Sequence, residues 1–399
     1  MFGKSAPGAL VAIRGTDAVA GAWEHKAFVP QPLPEGMPRL APDTFLVVAD
    51  ARAALAALDN TARRLPNPTL LRSSVLRREA QSTSALEGTF APLADVLTAD
   101  EDEPATTELR EIFNYVRTAH HGFAWVSEGR PLSVGLLNDM QGSLMHGTAL
   151  ANQSGQIRDS QVVIGRRADA EPVGSPVKNA RFVPPPPGPE LTAGLQDLVD
   201  WMNQDHRGRV DPVVAAAMVH YQFETLHPYR DGNGRLGRLL IVLQLLASNV
   251  LTEPTLTVSP WFEARRTSYY DALLKVSTSN DWDRFVQFFA EGIRASADIT
   301  RHAMVALVEV QSELKDAVRD SRLRADSAHA LVDIAVANPT FTVRQAEQKL
   351  GLSYGRVNKL VSQLVELGIL AVVDADAYKR RFFAPRVLEV LTSEGQERD

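Results

Sequence analysis

Residues 226–238 read Leu-His-Pro-Tyr-Arg-Asp-Gly-Asn-Gly-Arg-Leu-Gly-Arg, and what precedes them decides the fold. Gly232, Gly234 and Gly237 spell G-x-G-x-x-G, which in a dinucleotide-binding fold follows a strand. Here the run before it, 213–226, holds Ala215, Ala216 and Ala217 at helical spacing, opened by Asp211 as N-cap and by Pro212 in the first turn. A calcium loop starting at Asp231 needs later oxygen ligands, yet its fifth position is Arg235 and its twelfth Val242. The reading that remains is helix, tight glycine loop, helix. Amides freed at Gly232 and Gly234 then point toward the start of the second helix, where the dipole favours an anion. Arg235 opens that helix, and Arg235 and Arg238, three apart, project from its first turn, so two guanidiniums and a nest of amides make a polyphosphate cradle. Asp231 is a hard oxygen ligand suited to Mg²⁺ between phosphates, and His227, held by Pro228, is placed to take a proton from a hydroxyl. His220, mid-helix among apolar residues, reads as core.

Helical spacing extends over most of the chain. It covers 50–65, a restart at Pro66, Pro68 and Thr69 running to 82, then 91–97, 107–126, 134–145, 191–202 and 213–226. The helix after the loop is expected over 239–246, followed by 261–277, 282–296 and a charged helix to about Arg324. The convincing β signals in the first 320 residues are 161–165 and 180–184, which predict a hairpin flap on a helical body. Residues 1–43, with Pro30, Pro32, Pro34, Gly36, Pro38 and Pro42, predict an extended lead-in with little regular structure. The stretch 327–391 has another grammar: a helix over 328–337, Thr342 capping a helix to Leu350, the turn Gly351-Leu352-Ser353, a helix over 354–367 stopped by Gly368, and strand-like runs 369–373 and 380–384. That order is a winged helix-turn-helix.

Composition narrows the chemistry. The chain has 399 residues, 45% apolar and 23% charged, enough for two or three domains with ample core. It has no cysteine, which excludes disulfides, thiolate zinc sites, iron–sulfur clusters and a cysteine nucleophile. A net charge of -6 argues against a protein that coats nucleic acid or anionic lipid as a whole, while leaving room for a locally basic site. The apolar stretch 239–251 is interrupted by Gln244, Ser248 and Asn249 and is too short to span a bilayer, and residues 1–22 lack a secretory apolar run. The expectation is a cytoplasmic protein with no membrane segment.

The thirteen-residue loop resembles the His-Pro-Phe-x-Asp-Gly-Asn-Gly-Arg-x-x-Arg signature of the Fic family, with Tyr229 for the usual phenylalanine. The resemblance covers about residues 45–295 and implies a helical bundle that transfers AMP from ATP to a protein hydroxyl. It implies His227 as general base, Asp231 as metal ligand, Gly232, Asn233, Gly234, Arg235, Leu236 and Gly237 around the α- and β-phosphates, and Arg238 on the γ-phosphate. The full run to the last arginine matches the adenylyltransferase branch rather than the phosphotransferase branch. Upstream, Thr83-Ser-Ala-Leu-Glu87-Gly88 resembles the family's inhibitory pattern. A carboxylate there facing Arg238 would form a charge-assisted pair worth about 1.5–3 kcal/mol, suppressing productive ATP binding about tenfold to a hundredfold. Gly155-Gln-Ile-Arg158 and 161–165 resemble the family's flap, so Val162, Val163, Ile164 and Gly165 would pair with a target strand. Residues 261–270 resemble the helix near the adenine, with Tyr269-Tyr270 matching and Arg265, where a small polar residue is usual, assigned to the nucleotide.

These readings give a mainly α protein, a Fic-type bundle with a β-hairpin flap and a C-terminal winged helix. The expected division is 1–43 lead-in, 44–130 helical region with the inhibitory helix, 131–295 catalytic core, 296–326 linker helix, 327–391 winged helix and 392–399 tail. The expected activity is an ATP- and Mg²⁺-dependent protein adenylyltransferase restrained by Glu87, its partner a target protein with a Ser, Thr or Tyr hydroxyl. A homodimer is a further candidate. So is DNA, met through Ser353, Arg356, Asn358, Lys359, Lys379, Arg380 and Arg381. Two alternatives stand beside this: the same site removing AMP, with Glu87 orienting a water, or a DNA-binding regulator.

Overall fold

The computed structural model describes residues 2–17, 21–64, 69–170, 175–321, 323, 326–377 and 379–393. The restart at Pro66 and Pro68, the helix end near Arg324 and most of the 392–399 tail lie outside these residues. Strands β1 (Gly8–Asp17) and β2 (Gly21–Pro30) come first, then helices α1 (Pro42–Arg64), α2 (Thr69–Leu86), α3 (Leu93–Thr98), α4 (Thr107–Ser127) and α5 (Val134–Leu144). Short strands β3 (Ile164–Arg166) and β4 (Ala180–Phe182) flank α6 (Pro176–Asn179). Helices α7 (Pro189–Met202), α8 (Pro212–Leu226), α9 (Asn233–Ala247), α10 (Ser259–Ala264), α11 (Arg266–Ser279) and α12 (Trp282–Asp320) follow. Last come α13 (Asp326–Ala337), β5 (Phe341–Thr342), α14 (Val343–Leu350), α15 (Tyr354–Glu366), β6 (Ala371–Val372), β7 (Arg381–Phe383) and α16 (Pro385–Ser393). The protein is mainly α, as expected, with small antiparallel sheets. No helix among the described residues is long and apolar enough to cross a membrane.

The chain divides into two compact units. The first contains Met1–Ala53, Arg117–Leu251 and Ala264–Arg294; the second contains Ala54–Val116, Thr252–Glu263 and Ala295–Asp399.

In the first unit α8 packs on α9, and both are buried on nearly every face. A helix apolar all round has no solvent face to offer and becomes the core. Leu239, Leu240, Ile241, Val242 and Leu243 are each at most 2% exposed, and each contributes about 1.5–3 kcal/mol by burial. Asp211 caps α8 by accepting from the Val213 N–H at 2.8 Å, as its N-cap position predicts. Close approach of the pair requires Gly237, where a Cβ would meet Glu224 Oε1 at 2.4 Å and Phe223 at 3.2 Å.

The lead-in departs from expectation. Instead of lacking regular structure, residues 8–17 and 21–30 pair as a ten-pair antiparallel hairpin, Gly8 opposite Pro30 through Asp17 opposite Gly21. Val11, Ile13, Trp23 and Ala27 share one face and pack on Val163, Val177, Ala180 and Val183, so the hairpin seals an apolar surface of the flap. The Phe28 N–H donates to the Val183 carbonyl at 2.9 Å, and the Phe28 ring meets Phe2 and Phe182. The flap itself is shorter than its β-branched run: pairing is confined to Ile164 opposite Phe182 and Arg166 opposite Ala180.

In the second unit α2 packs on α13 and α3, and α16 on α3. Buried Arg77 of α2 donates to the carbonyls of Val96 and Ala99 at 2.9 and 3.2 Å and lies over the Phe113 ring at 4.9 Å. Buried Glu79 receives the Ser259 N–H at 2.9 Å, placing a carboxylate at the start of α10. Over 327–391 the element order follows the sequence reading, including a capping box at Thr342 and Gln345 and a left-handed Gly351. Strand β5 and helix α16 are additions, and the three strands order β5-β7-β6. The break expected near 296 is absent, for α12 runs unbroken from Trp282 to Asp320, its first part in one unit and the rest in the other.

Candidate active site

The connection between α8 and α9 carries His227 through Gly232. His227 ends α8 in the left-handed region (φ 48°, ψ 59°), one of three non-glycine residues with positive φ among those described. Pro228 follows, and the residue before a proline is disfavoured in the right-handed helical region, so the helix stops there. The His227 N–H still bonds the Phe223 carbonyl at 2.9 Å, while Nδ1 lies 3.3 Å from the Glu224 carbonyl. A carbonyl only accepts, so that contact calls for the proton on Nδ1 and turns Nε2 into the basic nitrogen.

Helix α9 begins at Asn233, six residues earlier than its apolar run predicts, because Gly232 adopts φ 79° and its carbonyl takes the Leu236 N–H at 3.0 Å. Arg235 therefore lies in the first turn and Arg238 in the second. A Cβ at Gly232 would come within 3.0 Å of Leu144 and 3.2 Å of the Met145 sulfur. Asn233 is buried and folds back on the loop: Oδ1 accepts from the Tyr229 N–H at 2.9 Å and Nδ2 donates to the Tyr229 carbonyl at 2.8 Å. Gly234, Leu236 and Gly237 are buried in α9, so they serve the cradle through backbone rather than side chain.

Both arginines are buried. Arg235 is 3% exposed, with Nη2 3.6 Å from the Met145 sulfur and 3.9 Å from Asp231 Oδ2. Arg238 is fully buried and donates to the Tyr269 hydroxyl. That hydroxyl is 2.6 Å from His220 Nε2, and His220 Nδ1 is 3.0 Å from the Gly237 carbonyl. The carbonyl fixes the proton on Nδ1, so Nε2 accepts from Tyr269. A chain of bonds thus runs from Arg238 through Tyr269 and His220 back to α9. Burial first, and Arg238 second, lower the His220 pKa to about 3, so His220 stays neutral as a core residue. Tyr269 is core as well, its pKa raised by burial and then by Glu224.

Asp231 is half-exposed, and its Oδ1 accepts the Gly232 N–H at 2.6 Å. No group of three or more His, Cys, Asp or Glu among the described residues could hold a metal ion. One hard carboxylate beside a phosphate cradle nevertheless suits Mg²⁺, which is commonly held by one or two carboxylates plus substrate phosphates.

The bed of the loop comes from α5, which the sequence reading left without a role. Gln141 donates to the Asp231 carbonyl at 3.0 Å and accepts the Gly155 N–H at 2.5 Å; Asn138 accepts from the Tyr229 hydroxyl at 3.0 Å. The available signal was two amides three residues apart on the face that also holds Leu137, Met140 and Leu144.

Of the other expected site residues, Val162 and Val163 precede β3, Ile164 opens it, and Gly165 is exposed at φ 62°. Arg265 is half-exposed and interrupts the helix expected over 261–277, at φ -119°, ψ 30° between α10 and α11. Thr83, Glu87 and Gly88 belong to the second unit, whereas the loop belongs to the first. Thr83 is buried in α2; Glu87 lies exposed just beyond its last residue, and Gly88 follows at φ 95°, closing the helix through its N–H to the Ala85 carbonyl at 3.1 Å. Within 327–391, Lys379 pairs with Glu103 at 2.8 Å, and Arg381 lies 3.9 Å from Asp100.

The Fic/DOC family N-terminal model matches residues 46–124 and the Fic/DOC family model matches residues 131–245. The chain is 33% identical over 156 residues to protein adenylyltransferase fic-1 of Caenorhabditis elegans, which covers 38% of this chain and 26% of that protein. It is 30% identical over 147 residues to protein adenylyltransferase Fic of Drosophila willistoni, covering 37% and 25%. The match thus spans about a quarter of the length of these curated relatives. In fold it resembles a Fic family protein from Desulfovibrio desulfuricans G20, with TM-score 0.55 and 22% identity, over 89% of this chain and 98% of that one. It also resembles Fic-1 (residues 134–508) of C. elegans, with TM-score 0.51 and 24% identity, over 66% and 74%. One family model thus lies on the helices that lead into the core and the other on the flap, the loop and its bed, so residues 46–124 and 131–245 match the Fic/DOC family.

Proposed function

We propose that the chain is a protein adenylyltransferase that moves AMP from ATP to a hydroxyl of a target protein. The observation that carries this reading is the single loop joining a left-handed His227, its Nδ1 turned to a backbone carbonyl, to a glycine-started helix with two buried arginines. His227 Nε2 takes the proton of a Ser, Thr or Tyr hydroxyl. The freed oxygen attacks the α-phosphorus of ATP, forming the new P–O bond as the bond to pyrophosphate breaks. The amides at the start of α9, with Arg235 and Arg238, hold the phosphates and balance charge on the departing pyrophosphate. Asp231 would hold Mg²⁺, which when bound neutralises charge between phosphates.

Target pairing along 162–165, nucleotide contact by Arg265 and restraint by Glu87 belong to the same proposal, supported by the sequence matches at those positions. The cytoplasm, which supplies ATP, is the proposed compartment. Two of the three wing cations are already answered by carboxylates, which weighs against DNA as a partner. The test is incubation with ATP labelled at the α-phosphate. If Glu87 restrains the site as proposed, Glu87→Gly is expected to label itself or lysate proteins about tenfold to a hundredfold more than wild type, the scale of one charge-assisted guanidinium–carboxylate pair. His227→Ala is expected to label nothing. Equal labelling by wild type and Glu87→Gly removes the inhibitory role, and labelling by a folded His227→Ala removes the proton acceptor.

A further inference from the structure

Arg158 is 2% exposed, and its guanidinium donates to main-chain carbonyls. Nε donates to His227 at 2.8 Å, Nη1 to Ser160 at 3.1 Å, and Nη2 to Pro185 at 2.5 Å with a longer contact to Leu226 at 3.5 Å. Its own N–H donates to the Pro228 carbonyl at 2.9 Å. Burial lowers its pKa to about 10, so the charge persists at neutral pH while being answered by the dipoles of these carbonyls.

The acceptors form two groups. Leu226, His227 and Pro228 belong to the end of α8 and the loop. Ser160 and Pro185 lie where the chain approaches β3 and where it leaves β4, at the base of the flap. One planar fork therefore joins the backbone of the left-handed histidine to both roots of the flap. The geometry uses separate N–H directions in a fixed plane, which a lysine ammonium at the end of a flexible stem does not reproduce.

We propose that Arg158 is a positioning residue that holds His227 in register with the flap, so that a hydroxyl presented on the flap edge arrives at the imidazole. This rests on the reading of His227 as the proton acceptor. Arg158 touches neither reacting atom; it acts through the His227 carbonyl.

The test compares full-length Arg158→Lys and Arg158→Met with the parent, all carrying Glu87→Gly. In each, the melting temperature, the dependence of self-labelling on ATP concentration, the ¹⁵N signals of the His227 imidazole and amide exchange are measured. In the folded variants the KM for ATP is expected to stay within about threefold. The labelling rate at saturating ATP is expected to fall about a hundredfold, the scale of a misplacement near 1 Å, with lysine no better than methionine. The imidazole signals move, and exchange quickens together at 160–165 and at 226–227. An unchanged saturating rate in either variant, rescue by lysine, or a rise in KM that accounts for the whole loss overturns the proposal. If no protein takes label even with Glu87→Gly, adenylyl transfer itself fails. The imidazole signals and exchange, which need no nucleotide, then still decide Arg158: changed in both regions they support it, and unchanged they overturn it.

Discussion

His220 is a neutral imidazole built into the wall of the site, and it gives stability a pH dependence. Its folded pKa is lowered to about 3, chiefly by burial, against an ordinary 6.5. Between those values the unfolded chain binds a proton that the folded chain refuses, so stability is complete above about pH 6.5 and is lost as pH falls toward 3. The slope from this one group is about 1.4 kcal/mol per pH unit. Denaturant unfolding at pH 6 and pH 5 is expected to differ by about that much more in wild type than in His220→Gln; equal slopes would contradict it. At this scale the sequence was informative where chemistry is written in side-chain type and spacing, as in His227, Asp231, Arg235 and Arg238. It was silent on Arg158 as a clamp, because Arg158 bonds to main-chain carbonyls that no residue type marks. Gln141 and Asn138 were missed for a related reason: their partners are a loop carbonyl, a loop N–H and a tyrosine hydroxyl brought near only by tertiary folding.

At the scale of elements, the hairpin β1–β2 is the main departure from expectation. The alternation Leu10-Val11-Ala12-Ile13-Arg14 is short and rich in small residues, and the prolines from Pro30 to Pro42 dominated the reading of the whole lead-in. Its apolar face makes sense only with the flap beside it, since Val11, Ile13 and Trp23 bury against Val163, Val177, Ala180 and Val183. Phe28 is 1% exposed and stacks on Phe2 at 5.1 Å. Phe28→Ala is expected to cost about 3–5 kcal/mol of local stability. The amides of Phe28, Ile164 and Arg166 should exchange faster, while those of α8 and α9 keep their protection. Unchanged exchange in the flap would separate it from the hairpin. Helix starts were read less well than helix existence. The leucine run marks the body of α9 over 239–246, yet Gly232 in the left-handed region starts it at Asn233, so Arg235 keeps its place in the first turn while Arg238 falls in the second.

For the whole molecule, the linear order of elements was legible but their grouping was not. The second unit gathers 54–116, 252–263 and 295–399, setting α13 against α2, the helix that ends next to Glu87. Periodicity tells which face of a helix is buried, not which distant segment buries it, so a reading along the chain separates what folding joins. The central claim is that ATP is opened at its α-phosphorus. Parallel incubations of Glu87→Gly with ATP labelled at the α-phosphate or at the γ-phosphate test it most directly, with His227→Ala in the same background as control. The account predicts label on protein from the α-position alone, none from the γ-position, and none with His227→Ala. Protein label from the γ-phosphate, or none from either, would contradict it.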